Sequence, residues 1–365
     1  MDKTKDSIRK EALAAIKDYD RCGVAITVGG GKTFLGLTDM ANIYKPGDKF
    51  LLVGPKLNIY NIWKEEAEKF NLSFLIDAIE FSTYISLHKK KGAYKKVYLE
   101  EAHALKYSHE EWLDTYTGPI LALTGTPPTL DYTEKGKMVK KFCPIVYTYI
   151  TDDAVDDKIL NDYKIYIHYV SLSTEKNIEN KTRDGKTFYT SEQSSYDYWT
   201  KRLDQSYGKE LEICRLMRMK ALQKFSSKEK YVKTLVTTTI KNKCIIFANE
   251  KLQADRLCKC TYHSGNPKSA ENLVKFKAGH INLIAAVEQL SEGQNIPGLK
   301  EIIIMHAFSN PTKFKQKFGR IMRLHIDDQA IVHLLVYKDT VDDHWMQNSL
   351  AGFNENKIIK LDVQR

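Results

Sequence analysis

No apolar run in this sequence approaches the ~20 residues that a helix needs to cross a bilayer, which excludes a chain built on membrane-spanning helices. The opening stretch, Met1-Asp2-Lys3-Thr4-Lys5-Asp6, contains no apolar h-region, so a secretory signal is not expected. Cysteine is scarce and scattered, with Cys22, Cys143, Cys214, Cys244, Cys258 and Cys260 lacking any framework spacing. Cys258-Lys259-Cys260 with His263 is the tightest group. Structural zinc sites pair one such knuckle with a second, and none follows, so no metal site is read here. The expectation is a cytoplasmic protein with reduced thiols, from a bacterial or phage-infected cell. Internal repeats and low-complexity tracts are also missing. Hydrophobic residues make up 42% of the chain, enough for ordinary globular cores.

Positive charge, by contrast, is in excess. Lys plus Arg number 56 against 46 Asp plus Glu, a formal charge of +10, which fits a phosphate-bearing partner without proving one. The bases cluster at Lys89, Lys90, Lys91, Lys95 and Lys96, and again from Arg215 and Arg218 through Lys220, Lys224, Lys228, Lys230 and Lys233. Each run is first of all a solvated loop or helix face.

A length of 365 residues predicts two domains at about 150 residues each. In the first half, short apolar runs at 23–28, 49–53, 79–82, 97–99 and 120–124 alternate with amphipathic stretches. One such stretch, Tyr60 to Phe70, puts Ile62, Trp63, Ala67 and Phe70 on one helical face. Alternation of this kind predicts an α/β fold with a parallel sheet. The pattern loosens from Pro127 to Asp162, which reads as the end of a first domain (1–150) and its link to a second (151–365). Strands are expected in the second at 163–170, 244–248, 282–286, 301–305 and 331–337. Residues 174–240 are too long for a plain loop. They predict an insertion with a hairpin at Thr182–Lys186 and helix around Tyr196–Phe225.

The strongest local signal is Val28-Gly29-Gly30-Gly31-Lys32-Thr33, where a β-branched run enters glycines and then a helix. Backbone N–H groups can cradle a phosphate chain only where glycine permits the turn, at a helix N-terminus. Gly29, Gly30 and Gly31 would form that cradle, Lys32 would reach the β- and γ-phosphates, and the Thr33 hydroxyl would ligate Mg²⁺. The first glycine of the usual G-x-x-x-x-G-K-[ST] pattern is Ile26 here. Val97-Tyr98-Leu99-Glu100-Glu101-Ala102-His103 is a second signal, an apolar strand ending in two carboxylates. Next to a phosphate loop, one such acid (Glu100) would hold Mg²⁺ and the other (Glu101) would orient or deprotonate the attacking water.

Gly31-Lys32-Thr33, Glu100-Glu101-Ala102-His103 and Leu123-Thr124-Gly125-Thr126-Pro127 resemble motifs I, II and III of superfamily 2 helicases. Leu52-Val53-Gly54-Pro55 is similar to motif Ia, and Lys243-Cys244-Ile245-Ile246-Phe247 to motif IV. Ala285 to Pro297 resembles motif V. Gln316-Lys317-Phe318-Gly319-Arg320-Ile321-Met322-Arg323 matches the Q-x-x-G-R-x-x-R of motif VI. The ordered series spans residues 8 to about 345. Its Thr-Gly-Thr-Pro motif III resembles the DEAH-like, restriction-enzyme and branch-migration helicases, whereas RNA-type DEAD-box enzymes carry Ser-Ala-Thr. A phage or mobile-element origin suits the compact chain.

The resemblance implies two tandem RecA-like P-loop domains with parallel sheets and a helical insertion in the second. It implies ATP and Mg²⁺ as ligands and DNA, in preference to RNA, as partner, with hydrolysis in the cleft between the domains coupled to movement. No membrane or protein partner is indicated. Arg320 and Arg323 would meet the γ-phosphate as arginine fingers. Gln316 and His103 would couple the domains, and Thr124 and Thr126 would link nucleotide state to the strand track. Gly293 of motif V would lie at the nucleotide. Nucleic acid would contact Pro55, Lys56, Ser82, Thr83 and Tyr84 in the first domain, and Asn249 and Gln289 in the second, through phosphate and sugar. Three departures stand out. Glu100 replaces the usual Asp of motif II, Arg9 stands where an adenine-reading Gln is expected, and Asn295 replaces the Asp of motif V. A nucleotide-gated nucleic-acid clamp with weak hydrolysis, and the motor subunit of a restriction-type complex, are the alternative readings.

Overall fold

A computed structural model describes residues 3–128, 130–182, 184–287, 290, 296–308, 311–322 and 324–363. They form two compact units, Met1–Asp162 with His325–Asp327, and Tyr163–Leu324 with Asp328–Arg365.

The first unit is built on strands β1 (Arg21–Ile26), β2 (Phe50–Gly54), β3 (Ile79–Thr83), β4 (Lys96–Glu100), β5 (Ile120–Thr124) and β6 (Ile145–Tyr149). They lie in the order β3-β2-β4-β5-β1-β6, with every neighbouring pair parallel. β2, β4 and β5 are buried along their whole length, as continuous Val/Leu/Ile runs require of strands covered on both faces. Helix Asn58–Lys69 packs on the sheet through Trp63 and Ala67, one turn apart. β6 falls within the stretch read above as linker. It is an edge strand with only Tyr149 buried, so Ile145-Val146-Tyr147-Thr148 lacks the apolar signature of its inner neighbours.

The second unit orders its main sheet β11-β12-β10-β13-β14-β7-β15. In chain order these are β7 (Asp162–Val170), β10 (Cys244–Ala248), β11 (Thr261–Tyr262), β12 (Leu283–Val287), β13 (Glu301–Ile304), β14 (Gln329–Tyr337) and β15 (Ile358–Asp362). β10, an inner strand, pairs parallel with both β12 and β13. The expected insertion is present. It consists of an antiparallel hairpin, β8 (Ile178–Lys181) and β9 (Thr187–Thr190), followed by helices Glu192–Asp204, Gly208–Lys224 and Ser227–Thr238.

Buried carboxylates anchor this insertion. Glu192 is fully buried and accepts from the backbone N–H groups of Ser173 (3.0 Å), Ser226 (2.7 Å) and Ser227 (3.0 Å), capping the last insertion helix from another segment. Lys228, also fully buried, donates to Asp342 and to the Leu335 carbonyl, and its ammonium lies 4.2 Å from the Tyr337 ring centroid.

Candidate active site

β1 delivers the chain into the turn 27–31 and then into helix Lys32–Ile43. Gly29 (φ 84°) and Gly31 (φ 92°) both occupy the left-handed region, where a side chain would be strained, so the glycines are dictated by the turn itself. Gly31 is the N-cap of the helix, which leaves the first-turn N–H groups without a side-chain cap. The Lys32 ammonium is buried and donates to the carbonyls of Ile26 (3.0 Å) and Thr27 (3.4 Å). A Cβ added to Gly125 would come within 3.0 Å of that ammonium, which puts the turn after β5 directly against the loop lysine.

Parallel β4 ends next to β5 at Glu100. Its carboxyl is 7% exposed, and burial first and the Glu101 charge second push its pKa up to about 8, against the opposing pull of Lys32 and the Trp63 indole. Its Oε2 has no hydrogen-bond partner. Glu101 turns the chain at φ 54°, ψ 54°, a conformation costing a non-glycine residue of order 1 kcal/mol or more. That turn brings Glu101 Oε2 to 3.3 Å from His103 Nδ1. The same ring nitrogen lies 3.1 Å from Thr124 Oγ1 and 3.0 Å from Thr126 Oγ1, and the Thr126 N–H donates to Thr124 Oγ1 (3.1 Å). Glu101, His103, Thr124 and Thr126 thus form one hydrogen-bonded cluster, with the two threonines and the histidine buried. Glu101 is thereby connected to the turn after β5 through a single imidazole.

A buried carboxylate oxygen without a partner, an adjacent ammonium and a hydroxyl at Thr33 in the first helical turn suit a hard divalent cation that is also held by phosphate oxygens. Among the described residues no three His, Cys, Asp or Glu side chains cluster as a metal site.

The structure revises the expected nucleic-acid positions. Lys56 is exposed, and Pro55 and Thr83 are half-buried. Ser82 and Tyr84 are buried, so neither is a surface contact. Tyr84 instead donates to the Glu100 carbonyl (3.0 Å), bracing the end of β4, while Ser82 donates to the Thr83 carbonyl (3.1 Å). Sequence reading missed this brace, since an aromatic after a β-run carries no mark of its direction. The lysine run is also largely neutralised, because Lys90 pairs with Glu80 (2.7 Å), Lys95 with Asp48 (2.6 Å) and Lys96 with Asp39 (2.8 Å).

In the second unit, Gln316 lies on helix Pro311–Phe318 and Arg320 in the turn that follows, both half-buried. Asn249 follows β10, with its Nδ2 buried and unpartnered and its N–H accepted by Gln253 Oε1 (3.0 Å). Arg323, Gln289 and Gly293 lie outside the described residues.

Residues 217–325 match the helicase conserved C-terminal domain family. This segment runs from the last turns of the insertion through motifs IV, V and VI. No curated protein sequence matches the chain. Among solved structures, the ATP-dependent Type ISP restriction-modification enzyme LlaBIII bound to DNA is similar at a TM-score of 0.63 and 14% identity, over 98% of this chain and 31% of that one. A fragment of a putative HsdR subunit of a type I restriction enzyme from Vibrio vulnificus is similar at 0.60 and 14%, over 98% and 67%. Dbp5 of S. cerevisiae bound to RNA and ADP BeF3 follows at 0.57 and 12%, over 97% and 89%. The chain therefore spans about a third of the restriction-modification enzyme. The fold is that of tandem RecA-like helicase domains, and the resemblance to superfamily 2 helicases read from the motifs is borne out.

Proposed function

We propose that this chain is a nucleic-acid-dependent ATPase of superfamily 2, a DNA helicase or translocase that couples ATP hydrolysis to movement. The observation carrying the ATPase reading is the buried, unpartnered Glu100 carboxylate beside Lys32, followed at once by the strained Glu101. Residues 1–150 would hold motifs I–III and residues 151–365 motifs IV–VI. Gly29, Gly30 and Gly31 would give backbone N–H groups to the phosphate chain, and Lys32 would leave its carbonyl partners for phosphate oxygens. Thr33 and Glu100 would hold Mg²⁺, which supplies charge neutralisation on the phosphates when bound. Glu101 would orient the attacking water and take its proton, and His103 would pass the state of that carboxylate to Thr124 and Thr126. Arg320 and Arg323 take their arginine-finger role from the motif VI resemblance, as Gln316 takes its coupling role and Gly293 its place at the nucleotide. Pro55, Lys56, Thr83, Asn249 and Gln289 remain the proposed nucleic-acid contacts.

DNA is preferred on the Thr-Gly-Thr-Pro form of motif III. Steady-state turnover of Mg²⁺-ATP with single- and double-stranded DNA and RNA tests the reading. Stimulation by DNA above RNA is expected, and no turnover with any nucleic acid removes the motor. One observation favours a second reading. Burial of the Glu100 carboxyl opposes its ionisation, which would slow Mg²⁺ capture until the site is filled, as suits a nucleotide-gated clamp with slow hydrolysis. Tight ATP-dependent DNA binding without turnover would mark that outcome. A motor subunit of a restriction-type complex would instead co-purify with a nuclease or target-recognition partner from the native host.

A further inference from the structure

Trp63 of helix Asn58–Lys69 is fully buried, yet its indole Nε1 has no hydrogen-bond partner. A buried donor without an acceptor destabilises a fold, and a phenylalanine at the same place would avoid that. The seat of the ring points to what the N–H is for. Trp63 packs edge-on against Tyr98, at 6.0 Å between centroids and 63° between planes. Tyr98 precedes Glu100 by two residues on β4, so strand alternation sets both side chains on one face of the sheet. The Tyr98 hydroxyl donates to Asp39 (2.8 Å), which marks that face as the one covered by helix Lys32–Ile43. On this helix Gly36, one turn beyond Lys32, makes room for the indole. A Cβ there would stand 2.5 Å from Trp63 Cη2 and 3.3 Å from Cζ2, on the N–H side of the ring.

The acceptor beside this donor is the Glu100 carboxyl. Burial, then the Glu101 charge, disfavours its ionisation, while Lys32 and the Trp63 indole N–H favour it. Glu100 Oε2, like the indole Nε1, lacks a hydrogen-bond partner, so a buried acceptor and a buried donor are neighbours with their bond still open. Glutamate also has one more rotatable bond than the aspartate usual in motif II, and a longer ligand needs a fixed contact to present its oxygen in one place. We propose that Trp63 is a positioning residue for Glu100: its indole N–H takes one carboxylate oxygen and leaves the other for Mg²⁺, with Gly36 as the seat that lets the ring reach. The inference rests on the nucleotide-site reading above.

Calorimetric titration of the full chain with AMP-PNP, in Mg²⁺ and in EDTA, tests this. Trp63→Phe keeps a ring but loses the N–H. It is expected to weaken binding about tenfold in Mg²⁺ and leave binding in EDTA unchanged. Gly36→Ala, which keeps the N–H but displaces the ring, should give the same selective loss. Added to Glu100→Ala, Trp63→Phe should cost nothing further. Unchanged affinity of Trp63→Phe in Mg²⁺ overturns the proposal. So does a loss that is equal in EDTA or that persists beside Glu100→Ala, as a packing role would give. Should Trp63→Phe fail to fold, the indole N–H resonances of the four tryptophans decide. One is expected to move when Mg²⁺ and AMP-PNP are added to the wild type and to stay in place in Glu100→Ala; identical spectra changes in the two proteins overturn the proposal. Failure of the wild type to bind AMP-PNP at all overturns the phosphate loop itself, a separate result.

Discussion

At the scale of single residues, Glu100 ties function to a cost in stability. Its folded pKa, raised to about 8, lies above the ordinary carboxylate value, so between about pH 4.5 and 8 the folded chain binds a proton that the unfolded chain has lost. Stability contributed by this group is present below that window and falls as pH rises through it. Glu100→Gln cannot ionise, and it should raise unfolding free energy at pH 8 by roughly 2–4 kcal/mol, a gain that shrinks toward pH 5. Denaturant melts across that range check it, and a variant no more stable than wild type at pH 8 refutes the assignment. Glu101→Gln and Arg323→Ala should each abolish turnover with unchanged circular dichroism. Normal hydrolysis in either contradicts its role.

Among the elements, the insertion is where stability should be most exposed to substitution. Asp342→Ala would leave the Lys228 ammonium buried without its counter-charge, at a cost of about 3–5 kcal/mol. A joint apolar replacement of both residues should recover most of that loss, and thermal melts of the three proteins decide it. A second buried chain runs from Tyr231 through His168 (2.8 Å) to His333 (2.9 Å), joining the last insertion helix to β7 and β14. Burial lowers the pKa of His168 to about 4 and that of His333 to about 3. Both therefore stay neutral in the fold while the unfolded chain takes up protons near pH 6.5. Their contribution is intact above pH 6.5 and is lost as pH falls toward 4. His333→Gln should flatten that acid slope, and an unchanged slope would assign it elsewhere.

These elements also mark how far the sequence could be read. The glycine turn into helix Lys32–Ile43, the acidic end of β4 and the Thr-Gly-Thr turn were legible because such turns permit few residue types at fixed spacing. The buried strands were legible through their continuous apolar runs. β6 was not, because an edge strand buries little and its pattern fades. Tyr84 and Ser82 were misjudged because strand position does not tell whether a side chain faces solvent or a neighbouring carbonyl. The ion pairs of the lysine run were not legible because Glu80, Asp48 and Asp39 carry no pairing signal in the sequence.

For the whole molecule, a formal charge of +10, part of it held in ion pairs, would meet the phosphates of the proposed nucleic-acid partner. Binding should weaken linearly in log–log terms as salt rises, with little sequence preference. The central claim is that nucleotide and nucleic acid sites are coupled, and coupling is reciprocal in free energy. It is tested most directly by the affinity for a fluorescent DNA measured without nucleotide, with AMP-PNP and with ADP, each at constant salt and Mg²⁺. The expected result is a difference between nucleotide states of about 5- to 150-fold. Equal affinity in all three states, with AMP-PNP shown to be bound, would contradict it.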